Sequence, residues 1–338
     1  MPNRIKTAAN TASPDLMYSM DRNLALEVVR VTESAALAAS LHVGRGDEKA
    51  ADQAAVDAMR TVLNSLAIDG RVVIGEGERD EAPMLYIGEK VGTGQGPKID
   101  IALDPLEGTT ICATGGMNSL AVIAMTEEGG FLNAPDVYMQ KIAVGPGFDA
   151  NFLDMNEPAD EFVRRLARAK GARPEQLMIC ILDRPRHADV IAKVRAAGAR
   201  ITLIQDGDVS GVIAAAEEES PIDAYIGTGG APEGVLAAAA LQCTGGQMLG
   251  RLVFRNDGEK ARAERMGITD FTRVYTHDDM AYGPNVMFAA TGVTDGAMLP
   301  GVRRYVGGAI THSIIMRSKT GTIRRIEATH NFTKKPVA

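Results

Sequence analysis

Residues 177–234 read LMICILDRPRHADVIAKVRAAGARITLIQDGDVSGVIAAAEEESPIDAYIGTGGAPEG. Three short apolar runs, Leu177 to Leu182, Arg200 to Ile204 and Ile222 to Ile226, alternate with stretches of helical spacing, His187 to Ala197 and Val209 to Glu218. Brief runs bounded by Gly and Pro predict buried strands, and the longer periodic stretches predict helices. A further helix is expected from Glu233 to Gln242. Repeated β-α-β order with short connections predicts a mostly parallel sheet in an α/β protein.

Working outward, a helix is expected near Glu157 to Lys170. The first half begins with a helix from Asp21 to about Leu41, where Leu24, Val28, Val31, Ala35 and Ala38 share a face and Asp21 is placed to cap it. A second follows from Asp47 to Leu66, with Val56, Met59 and Leu63 on one side. Ile68-Asp69-Gly70 reads as a turn and Gly92 to Gly96 as a loop. Strands are expected at Arg71 to Ile74, Ile99 to Leu103, Leu120 to Ala124, Ser313 to Met316 and Thr322 to Ile326. The change of rhythm puts a boundary near residue 155, dividing an N-terminal half, 1–155, from a C-terminal half, 156–338.

The 338 residues carry 36 Lys and Arg against 43 Asp and Glu, a net charge of −7, with 45% apolar residues. That balance disfavours a nucleic-acid partner, which needs basic patches. An acidic ligand must then be attracted locally, by arginines or metal ions in a cleft. Cys112, Cys180 and Cys243 are scattered and odd in number, which predicts neither a disulfide framework nor a zinc site. No apolar run is long enough to span a membrane, and Met1 to Pro14 lacks the apolar segment of a secretory signal. The expectation is a cytoplasmic enzyme with no membrane partner.

The acidic residues gather where the strands end. The strand ending at Ile74 runs into Gly75-Glu76-Gly77-Glu78-Arg79-Asp80, and that ending at Leu103 into Asp104-Pro105-Leu106-Glu107-Gly108-Thr109. Asp206-Gly207-Asp208 follows Ile204, and Gly227 to Gly234, with Glu233, follows Ile226. Ligands of open α/β sheets bind outside the carboxyl ends of strands. Carboxylates assembled there repel one another unless a cation lies among them, and oxygen ligands select Mg²⁺ or Mn²⁺ over zinc. Pro105 is expected to break the strand ladder. Glu107 and Thr109 then fall at a helix start whose free N–H groups suit a phosphate. Arg184-Pro185-Arg186-His187 supplies cationic forks for phosphate, or else a solvated helix start. Asp47 and Asp52 on the second helix read as ordinary capping and surface acids unless a partner site joins them.

Asp104-Pro-Leu-Glu107-Gly-Thr109 resembles the metal-binding signature of the lithium-sensitive sugar phosphatases. The match sharpens with the stretch Ile74 to Glu89, with Asn133-Ala-Pro-Asp-Val-Tyr138-Met139, with Gly230-Ala-Pro-Glu-Gly234, and with the Arg184 to His187 and Asp206 to Asp208 segments. Together these are similar to class II fructose-1,6-bisphosphatases over residues 15–332. The resemblance implies a layered α/β/α/β/α sugar-phosphatase fold with two mixed-sheet halves. It implies metal ligands at Asp52, Glu76, Asp104, Glu107 and Glu233. Substrate contacts are implied at Glu107, Gly108, Thr109, Tyr138, Arg184, Pro185, Arg186, Asp206, Gly207, Asp208 and Gly230. Catalytic roles are implied for Asp80, with Glu78 beside it, and for Thr109, whose hydroxyl would orient the attacking water. Where the family commonly has Gly-x-Gly-Asp-Lys, this chain has Glu48 before Lys49, a one-residue offset that turns the Lys about 100° around a helix.

The implied activity is Mn²⁺- or Mg²⁺-dependent hydrolysis of the 1-phosphate of fructose 1,6-bisphosphate, in gluconeogenesis or carbon fixation, by a homo-oligomer (dimer or tetramer). The competing expectations are a bifunctional fructose-1,6/sedoheptulose-1,7-bisphosphatase, a related inositol or sugar monophosphatase, and a catalytically silent sugar-phosphate sensor.

Overall fold

The computed structural model describes residues 23–76 and 85–334. Asp21, Glu78 and Asp80 lie outside them.

Helices α1 (Leu24–Ala39) and α2 (Glu48–Leu63) open the described chain, and the Asp47 side chain accepts the Ala50 N–H to cap α2. Strand β1 (Asp69–Ile74) starts at Asp69, so the expected turn at Ile68-Asp69-Gly70 is instead the beginning of a strand. Gly70 there pairs with Val91 on one side and Ile99 on the other, so neighbouring strands on both edges hold it extended. Strands β2 (Lys90–Val91) and β3 (Lys98–Glu107), helix α3 (Thr109–Thr114), and strands β4 (Leu120–Glu127) and β5 (Tyr138–Val144) follow. Next come α4 (Ala159–Ala169), β6 (Met178–Leu182), α5 (Ala188–Ala196), β7 (Arg200–Ile204), α6 (Asp208–Ala214), β8 (Ala224–Gly230) and α7 (Ala231–Thr244). The rest comprises β9 (Gln247–Val253), α8 (Asp257–Arg265), β10 (Val274–Thr276), α9 (His277–Met280), β11 (Met287–Gly292), β12 (Arg303–Tyr305), β13 (Gly308–Arg317) and β14 (Thr322–Asn331).

The strands form two mixed sheets. The first has the order β12-β13-β11-β4-β3-β1-β2, with β14 on the other edge of β13. The second has the order β10-β9-β5-β8-β6-β7. In the second sheet the expected parallel pattern is confined to β6 with β7 and β6 with β8, and β5 enters antiparallel to both β8 and β9; in the first sheet only β1 with β3 is parallel among the described strands. The β-α-β rhythm of residues 177–226 therefore describes one flank of the second sheet. The other flank comes from segments on either side of it. Nor do the sheets separate at residue 155: β5 joins the second sheet from upstream of that point, and β11 to β14 return to the first from far downstream.

Three apolar cores hold five layers together, the largest enclosing the middle helices between the two sheets. Strands β3 and β4 send alternate residues to opposite faces, Ile101, Leu103, Ile123 and Met125 toward α1 and α2, and Ala102, Val122 and Ala124 toward the second sheet. Both faces are buried, so these strands read as continuous apolar runs. Between the sheets lie α6, α7 and α9. Phe162, Val163 and Leu166 of α4, with Val194 of α5, cover the far face of the second sheet. The layers are thus α/β/α/β/α.

Helix α7 explains its own composition. Residues Val235 to Leu241 are all buried, because the helix packs on β3, β4 and β11 on one side and on β5, β8 and β9 on the other. A helix with no solvent face needs no polar stripe, and alanine lets two sheets approach it closely. Ala238→Leu is expected to lower stability by about 1–3 kcal/mol through overpacking. The check is a lower urea midpoint at unchanged m-value; an unmoved midpoint would show room on one side of α7.

Candidate active site

The ends of β1 and β3, the N-terminus of α7 and one face of α2 meet around a cavity of ≈ 240 Å³. Its lining includes Asp52, Glu76, Asp104, Glu107 and Glu233, with Gly108, Thr109, Asp136, Asp206 and Asp208. A second compartment of ≈ 370 Å³ adjoins it. Tyr138, Arg184, Arg186, Gly230 and Arg255 line that one, and Asp136, Asp206, Asp208 and Glu233 border both.

Local chain chemistry puts the inner groups there. Pro105 cannot continue the ladder, and the pairing of β3 with β4 slips between Asp104, opposite Val122, and Glu107, opposite Leu120. The bulge brings both acids to the cavity, and the Asp104 carboxylate accepts the Leu106 N–H at 3.0 Å. Gly108 then adopts φ +77°, a left-handed turn that an L side chain resists, and places Thr109 as the first residue of α3. The Glu107 carboxylate accepts the Val209 N–H at 3.0 Å, so an acid from the first sheet caps a helix of the middle layer. Glu233 lies in the first turn of α7, where Pro232 fits without losing a backbone hydrogen bond. A Cβ at Gly230 would meet the Glu233 carboxylate, so any larger residue there would push that side chain aside.

These carboxylates oppose one another. Burial, then the charges of Asp52, Glu233 and Asp136, push Glu76 up to about 8. Burial raises Glu233 to about 7, with Asp208 adding to the rise and Lys141 opposing it. Burial alone takes Asp52 to about 6. Asp104 and Glu107 are held well above the usual carboxylate range, by burial first and then by neighbouring acids. Two buried oxygens, Oε2 of Glu107 and Oε2 of Glu233, have no hydrogen-bond partner among the described residues. An all-oxygen, mutually repelling set with orphaned acceptors fits a hard divalent cation. Among the described residues no three acidic, His or Cys groups stand preassembled as a ligand set, so carboxylate rotamers must draw together around an ion.

The residue pattern had not singled out Lys141. Its side chain is fully buried on β5, and Nζ donates to Asp208 Oδ2 at 2.5 Å and to the Gly230 carbonyl at 2.7 Å. Tyr225 Oη donates to the same Asp208 oxygen at 3.4 Å. Asp208 is thus already paired with a cation, whereas Asp206 lies in the fields of Arg184 and Glu48. A lysine on the same strand face as the apolar Met139 and Ala143 was the available signal, since lysine is seldom fully buried unless paired. Asp136 and Arg255 were also missed. Glu48 and Lys49 are both exposed on the first turn of α2.

In the outer compartment the Arg186 guanidinium lies over the Tyr138 ring, 4.8 Å from its centre, and donates two hydrogen bonds to the Thr228 carbonyl. His187 is a brace: Nδ1 bonds the Leu182 carbonyl and Nε2 accepts the Thr228 N–H, both at 2.8 Å. Burial lowers its pKa, so it stays neutral in this role. Pro185 is exposed in the turn between β6 and α5.

A family model described as bacterial fructose-1,6-bisphosphatase, glpX-encoded, matches residues 22–330. Fructose-1,6-bisphosphatase 1 class 2 of Escherichia coli K12 is 48% identical over 329 residues, covering 94% of this chain and 97% of its own length. Fructose-1,6-bisphosphatase class 2 of Shigella flexneri matches with the same identity and coverage.

Two expectations can be checked on the isolated protein. A carboxyl group whose pKa is raised by folding stabilises the fold below its unfolded value, near 4, and loses that contribution as pH climbs through the folded value. With Asp52, Glu233 and Glu76 at about 6, 7 and 8, chelator-treated protein is expected to lose thermal stability steadily between pH 5 and 8. Added Mn²⁺ or Mg²⁺ should raise Tm more at pH 8 than at pH 5; a metal effect independent of pH would contradict this. Lys141→Met, which leaves Asp208 charged and buried without its partner, is expected to cost about 3–5 kcal/mol in denaturant unfolding.

Proposed function

Because this chain belongs to the bacterial, glpX-encoded fructose-1,6-bisphosphatase family, we propose that it hydrolyses the 1-phosphate ester of fructose 1,6-bisphosphate, releasing fructose 6-phosphate and phosphate. It is a phosphoric monoester hydrolase of carbohydrate metabolism, consistent with a place in gluconeogenesis. The observation that carries the reading is the pairing of two compartments: an anionic cavity with orphaned carboxylate oxygens beside one lined by Arg184, Arg186 and Tyr138. A sugar bisphosphate has one phosphate for each.

Asp52, Glu76, Asp104, Glu107 and Glu233 would hold the divalent cations, Mn²⁺ or Mg²⁺, which supply charge neutralisation at the phosphoryl oxygens and an acidified water. The chain's own groups do the rest. Thr109, at the start of α3, offers its hydroxyl to orient the attacking water, while Gly108 leaves space for the phosphate to approach the backbone. Asp80 or Glu78 accepts the water proton. Arg184, in the field of Asp206, and Arg186, held on the Thr228 carbonyl, pair with the second phosphate. Asp206 accepts a sugar hydroxyl, Asp208 is held by Lys141 at the floor, and Gly207 and Gly230 keep the backbone close. The same reading places the chain among the lithium-sensitive sugar phosphatases, as a cytoplasmic homo-oligomer.

The test is phosphate release from fructose 1,6-bisphosphate, sedoheptulose 1,7-bisphosphate and inositol monophosphate, with Mg²⁺, Mn²⁺ or chelator. Metal-dependent release from the fructose substrate is expected, with Thr109→Ala lowering kcat by about 10²-fold or more and changing KM little. A wild-type preference for the inositol ester, or an unaltered kcat in Thr109→Ala, would refute substrate or role respectively.

A further inference from the structure

Arg255 is a third guanidinium of the outer compartment, and its position is built into the chain. Asn256 caps α8 by accepting the Glu259 N–H at 2.9 Å. Glu259, at the third position of that helix, turns back and is almost completely buried. One of its oxygens accepts the Arg255 backbone N–H at 2.7 Å, and the other accepts Nε at 2.6 Å, with Nη2 at 2.5 Å. This is the reciprocal capping geometry of an N-x-x-E motif, shifted one residue upstream so that it grips a side chain as well as a backbone. The guanidinium lies 4.9 Å from the centre of the Tyr138 ring, which Arg186 also overlies.

Surface arginines lose much rotamer freedom when a ligand engages them; this one is already held along one edge and against one ring. Nη1 makes no hydrogen bond among the described residues, and the side chain is 57% exposed, so it is open to a ligand. Of the acids in the compartment, Asp208 is taken by Lys141 and Asp206 lies in the field of Arg184, while Asp136 is the one whose charge acts on Arg255. A dianionic phosphate offers three oxygens and is suited to more than two forks.

Resting on the function proposed above, we propose that Arg255, positioned by Glu259, binds the phosphate remote from the reacting end and thereby sets the preference for a sugar bisphosphate over a monophosphate. The pair acts on substrate capture, because neither residue borders the inner cavity.

Fructose 6-phosphate carries only that remote phosphate and needs no turnover to report on it. Its affinity, measured by calorimetry on the metal-loaded protein, is expected to fall about tenfold in Arg255→Ala, the lower end for a charge-assisted contact at a solvated site. Arg255→Lys should fall between the two proteins. KM for fructose 1,6-bisphosphate should rise to a similar extent, with kcat falling far less, while KM for fructose 1-phosphate stays put. Glu259→Gln should reproduce the same split more weakly. Unchanged fructose 6-phosphate affinity in folded Arg255→Ala, no binding to wild type, or equal losses on both fructose esters would overturn the assignment. Failure of wild type to release phosphate from the bisphosphate would instead refute the proposed function, and the fructose 6-phosphate comparison would still decide Arg255.

Discussion

Repulsion among buried carboxylates organises this molecule. Asp52, Glu76, Asp104, Glu107 and Glu233 approach from four separate elements; burial makes each harder to ionise, and neighbouring charge adds to this at all but Asp52. A fold that only had to be stable would replace them with apolar groups. Here the surrounding layers supply the compensation: rigid β3 and β4 buried on both faces, α7 held between two sheets, and Lys141 cancelling one nearby acid. The remaining charge is left for a cation to balance.

The site also ties the two sheets together. Glu107 ends a strand of the first sheet, yet its carboxylate caps α6, which packs against β6 and β8 of the second. Within the second sheet, Lys141 of β5 then holds the same end of α6 through Asp208 and donates to the Gly230 carbonyl of β8. The two compartments thus rest on both sheets, which fixes the distance between them.

Much of this was legible in the residues. Apolar runs ending in acids marked β1, β3 and β8, and Asp104-Pro105-Leu106-Glu107-Gly108-Thr109 carried its bulge and helix start in its composition. Local periodicity could not reveal partners remote in sequence, so β5 was not assigned to the second sheet nor β11 to β14 to the first. Asp52 looked like any exposed helical acid, because its significance depends on Glu76 lying opposite. Lys141 and Arg255 escaped for the same reason. One is defined by burial beside Asp208, the other by a cap whose glutamate folds backward, and neither fact is visible from the neighbouring letters alone.

The late return of the chain to its first sheet bears on how the protein is made. Leu120 pairs with Gly292, so the centre of that sheet stays incomplete until the C-terminal region has left the ribosome. The second sheet needs only residues 138–276 and is free to assemble earlier, as a nested unit. Until β11 arrives, β4 presents an apolar edge to solvent, the kind of transient surface that chaperones shield and that misassembly exploits. Slow closure of this long-range pairing is the kinetic burden of a topology that brings distant acids together.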